Sequence, residues 1–306
     1  MNIVGKKYFY FALSLLVLIP GMVSILLFGL NLSIDFTGGS EIQVQSAKFI
    51  HSTSSGQNSS QLVQQVIKEQ KINPIVIQKV GDNTYFIKTK PISQKTYQTI
   101  INNLKQKFGD IKEVSFQSIG PSVGSETTVN GIKALVIASI LIVLYIAWSF
   151  RKVPHPASSF RFGICAIVAL IHDALVVVGI FSLLGHFFHV EVDSLFLTAI
   201  LTVIGFSVHD TIVVFDRIRE NLRRMSGSQF SVVVNESIIQ TLGRSLNTSL
   251  TVILVLFTMF LFGGESIKWF IVALLVGVIS GTYSSIFNAA PLLVLWEEFN
   301  RRKVKN

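Results

Sequence analysis

The chain has 306 residues, half of them from the set Ala, Val, Ile, Leu, Met, Phe, Trp, Tyr and Cys, and only 14% are Asp, Glu, Lys or Arg; a soluble domain carries about 25% charged residues. With a mean hydropathy of +0.58, these figures exclude a disordered chain and argue against an ordinary soluble enzyme. A single cysteine, Cys165, excludes an intrachain disulfide, and the net charge of +9 is distributed as in a membrane protein rather than as on a nucleic-acid-binding surface.

Six apolar stretches are long enough to cross a hydrocarbon core about 30 Å thick. They cover approximately Tyr8–Leu30, Ile132–Phe150, Phe162–Leu184, Leu195–Phe215, Leu246–Phe262 and Trp269–Trp296. The first follows Lys6 and Lys7, as a signal peptide would. Its apolar run of about 23 residues exceeds a signal h-region, and no A-x-A-like cleavage site follows, so it reads as a retained anchor. Domains are therefore expected at 1–30 (N-terminus and first helix), 31–130 (a polar insertion) and 131–306 (a five-helix bundle with a C-terminal tail).

Positive loops stay in the cytoplasm. Lys6, Lys7, Arg151, Lys152, Arg161, Arg217, Arg219, Arg223, Arg224, Arg301, Arg302, Lys303 and Lys305 all fall on one side of an alternating six-span topology. Both termini are thus expected inside, with the insertion outside.

The insertion reads as a small α+β domain. Ile42 and Val44 alternate in a strand. His51–Ser60 is Ser/Gly/Asn-rich and loop-like. Leu62, Val63, Val66 and Ile67 have helical spacing. Pro74–Val80 and Thr84–Thr89 are β-rich segments around the turn signal Gly81-Asp82-Asn83. Tyr97, Ile100, Ile101, Leu104 and Phe108 form one helical face, and a last strand surrounds Val114 and Phe116. The order β-α-β-β-α-β predicts a ferredoxin-like arrangement, a fold that identifies no function. The expected fold class is an α-helical membrane protein of six helices with this extracytoplasmic domain between the first and second.

The chemistry lies in the spans. His172-Asp173 falls near the middle of span three, and His209-Asp210 lies in span four, which closes on Asp216 and Arg217. An ionised carboxylate at the bilayer centre costs about 2.5 kcal/mol or more, so these groups should face a bundle interior or a water-filled cavity. Ser207, Asp210, Val214 and Arg217 share one helical stripe, and Gly205 allows a close helix approach. Arg244, followed by Ser245, Asn247, Thr248 and Ser249, is placed to pair with Asp210 across the next helix. Such a pair suits proton-coupled switching, because Arg stays protonated while the charge on a buried carboxyl depends on what lies beside it. Gly277 and Gly281, near Ser280, Ser284 and Ser285, mark a helix-contact face.

Plainer readings stand beside these. Asp210 and His172-Asp173 can be satisfied packing groups, His209 a mere neighbour, Arg244 a positive-inside anchor, and Asp216-Arg217 an interfacial helix end. Cys165 reads as a small apolar packer. His186 and His189, with Glu191 and Asp193, are a weak metal signal, and no catalytic motif or metal cluster with ligand spacing is present. No enzyme activity, metal or cofactor is expected beyond protons as coupling ion.

Several segments also carry a family resemblance. Ile34-Asp35-Phe36-Thr37-Gly38-Gly39 resembles the G-I-D-F-T-G-G signature of the SecF family of bacterial protein-export subunits, with Ser33 replacing the usual Gly. Residues 203–221, including His209-Asp210 and Asp216-Arg217, are similar to the family's fourth-span block, His209 standing where many members have Asn. Gln240–Ser245 resembles its Q-T-L-x-R-[ST] block, and His172-Asp173 its third-span pair. The resemblance covers nearly the whole chain. It implies a subunit that joins SecD in a pseudo-symmetric bundle of the resistance-nodulation-division type in the bacterial cytoplasmic (inner) membrane. The pair would assist the SecYEG channel, using the proton-motive force to draw unfolded preproteins outward. The family's charged pair maps onto Asp210 and Arg244, with Ser207, His209, His172 and Asp173 as candidates for the polar surround. The corresponding SecD carboxylate is absent here. Beyond these proteins and the lipid bilayer no nucleic-acid partner is expected. The alternatives are a proton-driven half-transporter of a small or lipidic molecule, and a structural scaffold. The insertion, with about 80 polar residues, offers little room for the apolar pocket an exporter needs.

Overall fold

The computed structural model describes residues 1–45, 57–69, 74, 76–80, 84–109, 111–151, 153–154 and 158–305. The turn signal at 81–83 and residues 51–56 of the Ser/Gly/Asn-rich stretch lie outside them. The chain divides into two compact units, Leu32–Gly131 and Met1–Asn31 with Ile132–Asn306.

Helix α1 (Lys7–Phe28) precedes the smaller unit, which opens with the one-turn helix α2 (Ile34–Thr37). Strands β1 (Gly39–Gln45), β2 (Val76–Val80), β3 (Thr84–Thr89) and β4 (Lys112–Ile119) alternate with helices α3 (Gln57–Glu69) and α4 (Gln94–Phe108) in the order β-α-β-β-α-β. They form one antiparallel sheet of order β2-β3-β1-β4. Period-two alternation sends Ile42, Val44, Tyr85 and Ile87 to one face, where they meet Val63, Val66 and Ile67 of α3 and Tyr97, Ile100, Ile101, Leu104 and Phe108 of α4. Helix α3 takes in Gln57–Ser60, the end of the stretch read as loop; Asn and Ser suit a helix start, where the first N–H groups need acceptors. Ser93 caps α4 by accepting from Thr96 N at 3.3 Å. At the β4 edge, Glu113 accepts from Tyr97 Oη at 2.6 Å and from Lys105 Nζ at 2.7 Å.

Helix α5 (Pro121–Ser149) begins in the smaller unit and continues from Ile132 in the larger one, which also holds α1, α6 (Ser159–Phe188), α7 (Ser194–Arg224), α8 (Phe230–Phe262), α9 (Lys268–Ser284) and α10 (Ala290–Lys305). A π-helical turn, Ser285–Ala289, joins α9 to α10. Six helices are long and apolar enough to cross a membrane, α9 and α10 forming one of them over Lys268–Arg301. Two begin earlier than hydropathy indicates. Helix α5 starts at Pro121, a residue preorganised for the first helical position. Helix α8 starts at Phe230, since Phe230, Val234, Ile238 and Thr241 keep a buried face four or three residues apart through a segment too polar to count as membrane-spanning.

Three helices form the centre. The apolar windows of α6, α7 and the α9–α10 span are 50%, 50% and 61% buried, against 17%, 11% and 17% for α1, α5 and α8, which present their apolar side chains outward. Helix α7 starts where Asp193 Oδ1 accepts from Phe196 N at 2.7 Å. Helix α1 lies on α6 at Gly21 and Gly179, and Ser24 Oγ meets Ser182 Oγ at 2.8 Å beside them. Ion pairs gather at one end of the bundle: Lys7 with Glu298 at 2.6 Å, Arg161 with Glu297, and Arg301 with Glu297 at 3.1 Å.

Candidate functional site

Besides the ion-paired Glu297 at one end, two buried carboxyls lie in the bundle among the described residues: Asp173 is 1% and Asp210 2% exposed. Both belong to half-buried spans, and their helical phase turns them away from the outward apolar stripes. Their surroundings differ.

Asp173 on α6 is enclosed by hydroxyls. Ser207 Oγ of α7 and Ser284 Oγ of α9 donate to Oδ2 at 2.5 Å each. Ser280 Oγ of α9 donates to Oδ1 at 2.8 Å, and His172 Nδ1 stands 3.0 Å from the same oxygen. A carboxylate offers about four lone-pair sites; three accept from serine hydroxyls, and His172 Nδ1 stands beside Oδ1. His172 Nε2 lies 3.5 Å from Asn288 Nδ2, which donates to Ser14 Oγ of α1 at 2.6 Å.

Asp210 on α7 has less. Thr282 Oγ1 of α9 is 3.4 Å from Oδ2, at the outer limit of a hydrogen bond. Thr282 has one hydroxyl proton, and Val278 O accepts it at 2.8 Å. Thr282 also meets Ser249 Oγ of α8 at 2.5 Å. Ser245, one turn before Ser249, is buried with no hydrogen-bond partner for its hydroxyl. Among the described residues, no Lys or Arg forms an ion pair with Asp210 or Asp173.

The expected Asp210–Arg244 pair is not made in this structure. The buried stripe of α8 passes through Thr241, Ser245 and Ser249, and Arg244 lies about 100° round the helix from Ser245, on the exposed side. Ser249 reaches the Asp210 site instead, through Thr282. His209 also lies exposed, beside Asp210 in sequence but off its buried face. Gly205 is exposed with nothing within 4 Å of a built Cβ, so the close approach expected there is not made within the chain. The close approach of α7 occurs instead on its opposite side, at Gly277 and Gly281 of α9. Ser207, Asp210 and Val214 share the buried stripe as read, while Arg217 leaves it to bind Glu220 at 2.5 Å and Gln240 at 2.6 Å. Asp216 is exposed and pairs with Arg219. Cys165 is fully buried. Among the described residues, no three of His, Cys, Asp and Glu gather as a metal site.

Sequence reading missed Thr282, Asn288 and Ser14, and did not connect Ser280, Ser284 and Ser249 with the two acids. A signal was present: Ser280, Thr282, Ser284 and Ser285 interrupt an otherwise apolar span.

The Ile34–Gly39 motif belongs to the α/β unit. Ser33 caps α2 by accepting from Asp35 N at 3.2 Å, and Phe36 O accepts from Thr128 Oγ1 of α5 at 3.3 Å. Gly38 (φ +69°) and Gly39 (φ +135°) have left-handed backbones that other residues rarely adopt. A Cβ would lie 2.8 Å from Pro121 Cα at Gly38 and 2.9 Å from Thr89 O at Gly39. Thr37 Oγ1 donates back to Ser33 O at 3.0 Å.

Fold and site together define a multi-pass membrane protein with ionisable groups enclosed by its central helices. Residues 99–299 match the family model for protein export membrane protein SecD/SecF, C-terminal, and residues 23–48 match that of the SecD/SecF GG motif. The protein translocase subunit SecF of Thermobaculum terrenum is 48% identical over 97% of this chain and 94% of its own length. The subunit SecDF of Bacillus subtilis is 34% identical over 96% of this chain but 38% of its own length. The crystal structure of SecDF from Thermus thermophilus superposes with a TM-score of 0.81 at 30% identity, covering 97% of this chain and 39% of that one. The chain belongs to the SecF family.

Proposed function

We propose that this chain is the SecF half of a protein-export motor, which with a SecD partner uses the proton-motive force to draw preproteins through SecYEG. One observation carries the reading: Asp210 is buried in a membrane span beside the hydroxyls of Thr282 and Ser249, with His209 next to it in the chain and, among the described residues, no Lys or Arg paired to it. A bare carboxylate there is costly. A proton can satisfy it in this arrangement, and a guanidinium in another. Arg244, exposed and without an ion pair in this one, is the group available to approach. The transfer of one proton across the membrane releases about 2.3 kcal/mol per 100 mV, enough to bias a bundle between two packings.

The outward polar faces support a partner. Thr198, Thr202, Gly205 and His209 are exposed along α7 at three- and four-residue spacing, as are Gln240, Arg244, Asn247 and Thr251 along α8. Arg217 joins the two stripes through Gln240. Polar stripes within spans are poorly suited to lipid and well suited to a second bundle; the neighbouring structures named SecDF agree with SecD as its source. The lysine and arginine distribution argues for cytoplasmic termini.

The test is Asp210→Asn in cells or vesicles holding the partner and channel. Proton-driven export is expected to stop while membrane insertion is retained. Export at the unaltered rate would refute the assignment.

A further inference from the structure

The two buried carboxyls are satisfied to opposite degrees and touch opposite faces of one helix. Ser280 and Ser284 share a face of α9 and both donate to Asp173. Thr282, between them, lies about 160–200° round the helix and faces Asp210. We infer that Asp173 is a positioning residue for Asp210: by gripping Ser280 and Ser284 it fixes the rotation of α9 that presents Thr282, and behind it Ser249, to Asp210. The inference rests on the reading of Asp210 as the titrating group and adds what sets its surroundings.

The contacts favour a grip over a proton relay at Asp173. Ser207 and Ser280 make no other side-chain hydrogen bond, and Ser284 stands 2.5 Å from Asp173 against 3.2 Å from its alternative, Gly281 O. Three serine hydroxyls from α7 and α9 converge on Asp173, whereas Asp210 has the hydroxyls of Thr282, at 3.4 Å, and Ser249.

Helix α9 meets α10 at an irregular turn within their shared span. The π-helical turn Ser285–Ala289 begins directly after Ser284; such turns break the regular hydrogen-bond register and recur at functional sites. Against α7 the spacing is tight, a Cβ on Gly281 lying 3.1 Å from Ser207 Cβ, so freeing the serines shifts the Thr282 face as well.

The groups around both acids are few. Asp173 faces His172 from its own helix, Ser207 from α7 and the two serines from α9; beyond His172 stand Asn288 and Ser14. Asp210 faces Thr282 from α9 and, behind it, Ser249 from α8, with His209 adjacent on its own helix and Arg244 exposed on α8. Any change at Asp173 that reaches Asp210 therefore passes through α7 or α9.

The experiment measures proton-driven export against pH in membrane vesicles containing the full chain, its SecD partner and the channel. Ser280→Ala with Ser284→Ala removes two donors and leaves both acids in place. Wild-type amounts of the variant in the membrane, a rate reduced about tenfold and a pH midpoint moved by about one unit are expected. Asp173→Asn should move the midpoint in the same sense; should it fail to insert, the serine variant carries the test alone. A lower rate with an unmoved midpoint would make Asp173 only a helix staple and overturn the inference. So would loss of proton-driven export at every pH in Asp173→Asn with normal membrane insertion, as expected of Asp210→Asn, which would make Asp173 a carrier. If Asp210→Asn exports normally, the underlying reading fails first, a result distinct from either of these.

Discussion

Gly277 of α9 packs against Val203 of α7 so closely that a Cβ on the glycine would overlap the Val203 side chain. This contact, one turn before Gly281 meets Ser207, brings the backbones of α7 and α9 near enough for Thr282 to face Asp210. Gly277→Ala should destabilise the chain by about 1–3 kcal/mol through overpacking. Val203→Ala in the same chain should recover much of the loss, because it removes the methyls in the way. Unfolding midpoints of the four members of the cycle measure the coupling.

Arg244 is exposed and, among the described residues, makes no ion pair, so its loss should separate function from stability. Arg244→Ala is expected to leave thermal stability within about 0.5 kcal/mol, as at other exposed sites without partners, while strongly reducing proton-driven export. Arg244→Lys should also be damaging, since an ammonium does not reproduce the guanidinium fork. Paired melting and export assays decide this.

Thr282→Val keeps the shape and removes the hydroxyl shared by Asp210, Ser249 and Val278 O. The stability cost should be about 1 kcal/mol. The pH dependence of export should change in the same sense as in Asp173→Asn, because both variants take Thr282 Oγ1 from the Asp210 site.

Gly38→Ala and Gly39→Ala should each weaken the α/β unit without touching the buried acids. Each glycine has a left-handed backbone, and the atoms a Cβ would meet belong to the backbone of Pro121 and Thr89, which cannot rotate aside. The expected cost is about 1–3 kcal/mol per position. Amide hydrogen exchange should rise in residues 34–45 and at the start of α5 while the central helices keep their protection.

Glu113 gives the α/β unit a pH dependence of its own. The hydrogen bond from Lys105, then that from Tyr97, holds its carboxyl below the usual glutamate range, and burial with the Glu113 hydrogen bond pushes the Tyr97 phenol up. A lowered folded value means the contribution is fully present above the unfolded value of about 4.3 and is lost as pH falls through the folded one. Because Glu113 is well exposed, the effect is small. Hydrogen exchange at β4 and α4 should accelerate on acidification below that range, and Glu113→Gln should remove the dependence.

The sequence by itself determined how many spans there are, the β-α-β-β-α-β order, the core faces of α3 and α4, and which spans carry ionisable groups. Those features depend on local composition and on periods of two and 3.6 residues, which a single chain displays directly. Only the tertiary structure decided that Ser280 and Ser284 turn to Asp173 while Thr282 turns to Asp210, that Arg244 stands outside, and that Gly38 and Gly39 meet Pro121 and Thr89. In a membrane the lipid tails are as apolar as the helices, so hydropathy does not select a helix's rotation. Close packing at residues such as Gly277 and Gly281, and the hydrogen-bonding needs of two enclosed acids, select it instead, and both come from residues distant in the chain.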